Sequence, residues 1–479
     1  MFLAIIAVAP TTLLTGGMIV DGRGADPYRA DLRIKGEQIV AIGKLKPISG
    51  EVKINVSGLV VSPGFVDAHS HADGGIEKEP TALSQITQGI TTAIVGQDGG
   101  WKMPLAQRPT LKAAINLAYF SGHGGIRAKV MGEDYKREAT PAEIEKMKLL
   151  VEADMQAGAL GLSTGLEYDP GYYSTTSELI ELSRVAAKHG GMYISHMRDE
   201  GDNFGTALAE LLSIGQQAQL PTQVSHIKLC TSGVWGEALG FLRKMPNSTT
   251  ADIYPYLFWQ SSMSALTPSR EWAKREIWVK ALRDVGGAKN VRLTSYSPEP
   301  KWVGKTIAEL AAETRRDEIG LIQEILGKTR GQGGSGEESV AVTAMTEPDL
   351  IEFMKSPRTM FSSDGSIGGS HPRGAGSFPR VLGRYVRELK VLRLQEAVSK
   401  MTSLPCRVFK LQQRGQLKKG FIADITVFDP KMIKDVATAS DPTRLSVGVK
   451  HVFVNGVLVL KKGIPTRLLG GRLLRRAEK

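Results

Sequence analysis

Among the eight histidines of this 479-residue chain, two stand one residue apart at the end of an apolar run, Phe65-Val66-Asp67-Ala68-His69-Ser70-His71. Side chains on an extended strand alternate between its faces, so His69 and His71 project the same way. A strand end built like this presents two imidazoles to one metal ion. A His-x-His pair alone fits a surface or packing role equally well. Its weight comes from company, because other short apolar runs also end in a metal-competent side chain, at Asp98, His196, His226 and Asp364. A divalent cation held by such a set lowers the pKa of bound water toward about 7, which supplies a nucleophile near neutral pH. Hydrolysis is the chemistry that follows.

The elements that must position these groups alternate in type. Strands are expected at Phe65–Ala68, Thr91–Val95, Asn116–Phe120, Ala159–Ser163, Met192–Ser195, Gln223–Ser225, Thr250–Ile253 and Thr359–Ser362. Helices fit between most of them. Thr140-Pro141-Ala142-Glu143 is a capping box with proline at the first helical position, opening a helix to about Gln156. Ser177 to His189 reads as another, stopped by Gly190-Gly191. Thr346-Glu347-Pro348-Asp349 starts the helix before the last strand. Eight such units imply a (β/α)8 TIM-like barrel, although a doubly wound sheet shares the pattern. In the barrel all the metal candidates fall at the C-terminal ends of strands, on the face where such folds carry their chemistry.

The outer segments differ. Residues 1–61 and 406–465 alternate turns with short β-branched runs and carry Asp-Gly and Asn-Gly hairpin signals, so both chain ends are expected to build one small β-sandwich domain. The barrel would then occupy 62–405. An inserted lobe at about 262–340, before the last strand, holds Trp272, Trp278, Trp302 and a glycine-rich loop at Gly331–Gly336 that suits a closing element or a plain linker.

Composition excludes several classes. Two cysteines, Cys230 and Cys406, make neither a disulfide framework nor a C-x-x-C zinc motif. Cys230, four residues after His226, is expected to be a buried inert thiol. The formal charge of +12 is concentrated in the last residues, Lys461 to Lys479, and 466–479 reads as a solvated basic tail rather than a nucleic-acid arm. No segment reaches the length of a membrane span. Met1 to Pro10 has an apolar centre without a basic flank, so the chain reads as cytoplasmic, with a degenerate export signal as the alternative.

At this point the residues resemble a family. Pro63-Gly64-Phe65-Val66-Asp67-Ala68-His69-Ser70-His71 is similar to the signature of the amidohydrolase superfamily. Gly161–Tyr168, Ser195–Glu200, Ser225–Lys228, Ala251–Tyr256, Ser363-Asp364-Gly365 with His371-Pro372-Arg373, Phe378–Gly383 and Lys419–Asp424 narrow the resemblance to the N-acyl-D-amino-acid deacylases, or D-aminoacylases. The blocks keep their order over nearly the whole chain. The resemblance implies His69, His71 and Asp364 at one metal position, His196 and His226 at the other, and Asp98 between them. Asp98 departs from the best-known family pattern, which has a cysteine there, and aspartate is a harder ligand than thiolate. Zinc, one ion or two, is the implied cofactor, other divalent metals being compatible with the same donors.

Asp364 is the implied general base and acid, taking a proton from water and passing it to the leaving nitrogen. Tyr168 and Lys228 match positions associated with substrate, while Arg373, Ser370 and His123 are further candidates. Arg198 either touches substrate or pairs with Asp199 or Glu200. The implied partner is a small N-acyl amino acid. Two rivals are a cyclic amidase of the hydantoinase or dihydroorotase type and a non-catalytic scaffold. The first typically carries a lysine at the end of strand 4, and Ala159 to Tyr168 has none. The second would be expected to lack ligands, and every ligand position here is filled.

Overall fold

The apolar runs pair side by side and in parallel, which only a ring or a doubly covered sheet allows. The computed structural model describes residues 11–267, 271–330 and 337–476. Its barrel strands are β1 (Phe65–Asp67), β2 (Ile90–Val95), β3 (Asn116–Tyr119, continued by Ser121–Gly122), β4 (Gly161–Gly165), β5 (Met192–His196), β6 (Thr222–Val224), β7 (Thr249–Ile253) and β8 (Thr359–Phe361). Parallel pairing runs from β1 to β3 and from the Ser121–Gly122 extension through β4, β5, β6 and β7 to β8. The ring closes where Ala68 N–H donates to Phe361 O (3.3 Å) and Asp364 N–H donates to His69 O (2.8 Å). Nearly every residue of these strands is buried, as a ring covered by helices requires.

Helices form where caps and periodicity direct them. Pro141–Gln156 starts on Thr140, whose hydroxyl accepts from Glu143 N–H while the Glu143 carboxylate accepts from Thr140 N–H (2.8 Å). Its Met147, Val151 and Met155 are buried at four-residue spacing. Thr176–Lys188 is capped by Thr175, and Glu347–Lys355 by Thr346.

Between β7 and the Glu347–Lys355 helix, the inserted lobe has its own core. Strands Phe258–Ser261, Glu338–Thr343 and Val291–Tyr296 make an antiparallel sheet, against which Trp278, Trp302, Leu310, Leu321 and Ile322 pack. The lobe is fastened beside β8. Its Phe258 carbonyl accepts from His371 Nε2 (2.9 Å), and the two rings stack 4.5 Å apart. The Gly331–Gly336 loop lies outside the described residues, as do Met1–Pro10 and with them the choice between a cytoplasmic and an exported chain. No helix among the described residues is long and apolar enough to cross a membrane.

Both chain ends enter a single hydrogen-bonded sheet of nine strands. In it, Ile425–Phe428 from the C-terminal part lies antiparallel beside Val60–Pro63 from the N-terminal part. The sheet branches at Thr11–Ile19, which pairs Val52–Asn55 along one half and Val60–Pro63 along the other.

The basic tail corrects an expectation. Rather than lying free in solvent, it supplies β9 (Leu473–Leu474), which pairs in parallel with Leu117 and Ala118 of β3. On its other side Arg476 N–H donates to Gly158 O (2.9 Å) and Arg476 Nε to Ala159 O (3.2 Å), just before β4. The segment is a wedge between the N-terminal ends of β3 and β4. Charge count hid this because the two leucines, not the arginines around them, fill the seam. Leu474 is buried among Val66, Ile94, Ala118, Phe120 and Leu160. Leu474→Asp should cost roughly 2–5 kcal/mol through lost packing and a buried carboxylate without a partner. The check is a lower thermal midpoint, and an unchanged midpoint would refute the wedge.

Candidate metal centre

The ends of five barrel strands deliver the six expected ligands to one place. His69 and His71 follow β1, Asp98 follows β2, His196 ends β5, His226 follows β6 and Asp364 follows β8. Asp98 Oδ1 lies 3.4 Å from both His69 Nε2 and His226 Nε2, and its Oδ2 lies 3.2 Å from His71 Nε2. Asp364 Oδ1 lies 3.3 Å from His71 Nε2 and 3.6 Å from His69 Nε2. His196 Nδ1 and His226 Nε2 are 3.0 Å apart. Ligand atoms of His69, Asp98, His226 and Asp364 all fall within 4.8 Å of one another, and so do those of His196, Glu200 and His226. His226 therefore belongs to both groups, not to the His196 side alone. The cluster opens to solvent at His71, whose side chain is 34% exposed, while His69 is fully buried.

Three of these residues hold backbone conformations that side chains rarely adopt. Asp98, His226 and Asp364 have φ of +52°, +33° and +47°. Each such position costs on the order of 1–3 kcal/mol and persists only where its surroundings enforce it. Here the surroundings are specific. Asp252 Oδ1 accepts from His226 N–H (3.0 Å) while its Oδ2 accepts from Gln223 Nε2 (2.6 Å). Asp67 Oδ1 accepts from Ser363 N–H (2.7 Å), one residue before Asp364. β4 passes so close that a Cβ on Gly165 would stand 2.4 Å from the Asp98 carbonyl oxygen.

The carboxylates and imidazoles of the cluster shift one another strongly. Burial opposes charge on Asp98, but His69 and His226 more than reverse it and hold its carboxyl well below the usual range. Burial likewise opposes charge on Asp364, and Arg373 followed by His226 overturns it. Burial would lower His71, yet Asp364 and Asp98 lift it to about 10. Burial and Lys228 would lower His226, and Asp364, Asp98 and Glu200 lift it to about 10. The two buried carboxylates and the imidazoles thus favour one another's charged forms. Neither ring nitrogen of His69, nor Asp98 Oδ1, has a hydrogen-bond partner among the described residues. Buried polar atoms left unsatisfied at the focus of carboxylates and imidazoles fit a divalent cation.

The sequence alone left Glu200 and Asp252 without a role, whereas Glu167 was expected near the metal. Glu200 is buried beside His196 and His226, and the i,i+4 spacing from His196 was its available signal. Asp252 lay within a recognised block but had no role. Glu167 stands behind His196, with Oε2 3.1 Å from His196 Nε2, and its Oε1 accepts from Glu200 N–H (3.1 Å).

The candidate substrate residues divide. The Tyr168 ring lies tilted against that of His196, with ring centroids 4.5 Å apart. Arg373 places NH1 2.6 Å from Asp364 Oδ2 and lies over the Tyr254 ring, 4.8 Å from its centroid. Lys228 is buried beside Glu200 and His226. Ser370 is exposed on the loop after Asp364. Arg198 pairs with Glu210 (2.9 Å) rather than with Asp199 or Glu200. Cys230 is half-buried rather than buried, with Sγ 3.8 Å from Glu200 Oε2, and desolvation pushes its thiol well above the ordinary value.

His123 meets a buried carboxylate through one ring nitrogen. Its Nε2 is 2.7 Å from Glu178 Oε1, and Arg127 binds the other Glu178 oxygen, all three being buried. Burial would raise the Glu178 carboxyl, but His123 and then Arg127 hold it below the ordinary range. Removing one partner of such a cluster strands a buried charge. Arg127→Met should therefore lose roughly 3–5 kcal/mol of stability while the folded fraction keeps its metal. Urea unfolding monitored beside metal content checks this, and loss of metal without loss of stability would refute it.

The chain is similar to known proteins along its full length. The amidohydrolase family model matches residues 308–460. The D-aminoacylase of Alcaligenes xylosoxydans xylosoxydans is 34% identical over 499 residues, covering 97% of each chain. The N-acyl-D-glutamate deacylase of the same organism is also 34% identical, over 97% of this chain and 96% of its own. Among solved structures, the N-acyl-D-glutamate deacylase from Bordetella bronchiseptica, complexed with zinc and a phosphonate mimic of the tetrahedral intermediate, superposes with a TM-score of 0.83. It is 32% identical over 98% of this chain and 100% of its own.

Proposed function

From the premise that this chain belongs to the D-aminoacylase family of the amidohydrolases, we propose that it hydrolyses the amide bond of N-acyl-D-amino acids, releasing a carboxylate and a D-amino acid. The observation that carries the reading is the meeting of His69, His71, Asp98, His196, His226 and Asp364 at one barrel mouth. These six would hold one or two divalent ions, zinc being the default for imidazole and carboxylate donors. A bound ion supplies Lewis acidity, which makes a coordinated water acidic enough to react near neutral pH and polarises a carbonyl.

The remaining work falls to the chain's own groups. Asp364 turns Oδ1 toward the histidines and Oδ2 toward Arg373, so one oxygen can take a proton while the other stays anchored. That proton then passes to the leaving nitrogen. Arg373 keeps the carboxylate ionised and aimed. Its Nε and the Tyr254 hydroxyl are buried without hydrogen-bond partners among the described residues, which suits them to the free carboxylate of a substrate. Tyr168 against His196, Lys228 beside His226 and the exposed Ser370 are the further candidates for substrate contact.

The cyclic-amidase rival lacks its lysine. The position where one would project, at the end of β4, is occupied by Gly165, pressed against Asp98. The deciding experiment assays the metal-analysed protein on N-acetyl-D- and N-acetyl-L-amino acids beside hydantoin. Turnover of the D-series is expected. Turnover of hydantoin alone would reverse the reading, and no turnover without bound metal would favour a scaffold.

A further inference from the structure

The side of His226 turned away from Asp98 carries a buried charge pair, Glu200 with Lys228, whose carboxylate has no part in the hydrolysis proposed above. Glu200, 3% exposed, places Oε1 3.2 Å from His226 Nδ1 and Oε2 2.6 Å from Lys228 Nζ. Lys228 Nζ is itself 2.8 Å from His226 Nδ1. Two groups of opposite hydrogen-bonding character therefore compete for one ring nitrogen, an acceptor on Glu200 and a donor on Lys228.

The outcome of that competition decides whether His226 can bind a cation. A neutral imidazole has one N–H and one lone pair, so the partner of one nitrogen sets the state of the other. Nε2 faces Asp98 Oδ1 and His196 Nδ1, and a ligand there must keep its lone pair. Nδ1 must then carry the proton and give it to an acceptor. Glu200 is one; an ammonium is not. If Lys228 were free to donate to Nδ1, the ring proton would move to Nε2 and close the site.

We infer that Glu200 is a positioning residue. It engages Lys228 with one oxygen and receives His226 Nδ1–H with the other, leaving His226 Nε2 open to the metal. The inference rests on the reading above that His226 is a ligand. Glu200 Oε1 faces His226 Nδ1, while Oε2 meets Lys228 Nζ and lies 3.6 Å from His196 Nε2. Glu167 stands in the same relation to His196, behind the ring at Nε2 while Nδ1 faces His226. Carboxylates behind ligating histidines fix tautomer and orientation, and their loss typically costs about 10–100-fold in metal affinity.

The test is zinc affinity of the full chain, stripped and reloaded against a competing chelator. Glu200→Gln should weaken binding by about 10–100-fold. Lys228→Met should leave it unchanged. Glu200→Gln combined with Lys228→Met should recover most of the loss, because no ammonium remains to take the Nδ1 lone pair. Wild-type affinity in Glu200→Gln would overturn the inference, as would a double variant no better than Glu200→Gln. A reading independent of variant folding comes from the zinc-loaded wild-type protein with nitrogen-15 histidine. The His226 signals should show a protonated Nδ1, and a protonated Nε2 would overturn the inference. Neither readout uses turnover, so absence of D-specific hydrolysis with zinc bound defeats only the proposed function. Absence of zinc binding by the wild type defeats both.

Discussion

Asp364→Asn should reduce kcat by about 10²–10⁴-fold, the range removed with a positioned acid–base group. Asparagine keeps the shape of the side chain and can still reach Arg373, but it cannot accept a proton and brings no charge to His69 and His71. The loss should fall mainly on kcat, since substrate contacts are proposed to lie with Arg373, Tyr254 and Lys228. Steady-state kinetics on an N-acetyl-D-amino acid, beside metal analysis of the same preparation, give the answer. A kcat within tenfold of wild type would mean that another group moves the proton.

Asp98→Ala should be nearly as damaging by a different route. Asp98 is the carboxylate that His69, His71 and His226 share, through both of its oxygens. Without it three imidazoles face one another with no anion between them, so metal content should fall and kcat/KM should drop by at least about 10²-fold. Asp98→Cys separates ligand loss from ligand character. A thiolate there restores a shared donor but a softer one, so competition experiments should shift toward zinc over manganese relative to wild type. Equal metal content in Asp98→Ala and wild type would remove Asp98 from the centre.

These two residues also show what could be read from the chain alone. A ligand at the end of an apolar strand is visible because the strand length, the turn and the donor type are all local. That His69, His71, Asp98, His196, His226 and Asp364 lie at strand ends on one face was therefore legible, and so were the helix at 141–156 and its cap. Glu200 and Asp252 were not, since their meaning comes from neighbours on other strands: Lys228 and His226 for one, Gln223 and His226 for the other. His123 had the residue type and the strand-end location of a site residue, and a structural role fitted it equally well; its Nε2 meets buried Glu178, which Arg127 also binds, while its Nδ1 has no partner among the described residues. Arg198 shows the same limit, because Glu210 lies on the following helix. Tertiary partners decide a polar side chain's role, whereas periodicity registers only its element.

The leucine pair at 473 and 474 has a consequence for how the molecule comes into being. A ribosome delivers β1 to β8 well before that pair, yet the bottom of the β3–β4 seam has no filling until residue 476 has emerged. Until then Ala118, Phe120 and Leu160 lack the partner that Leu474 provides on that side of the barrel.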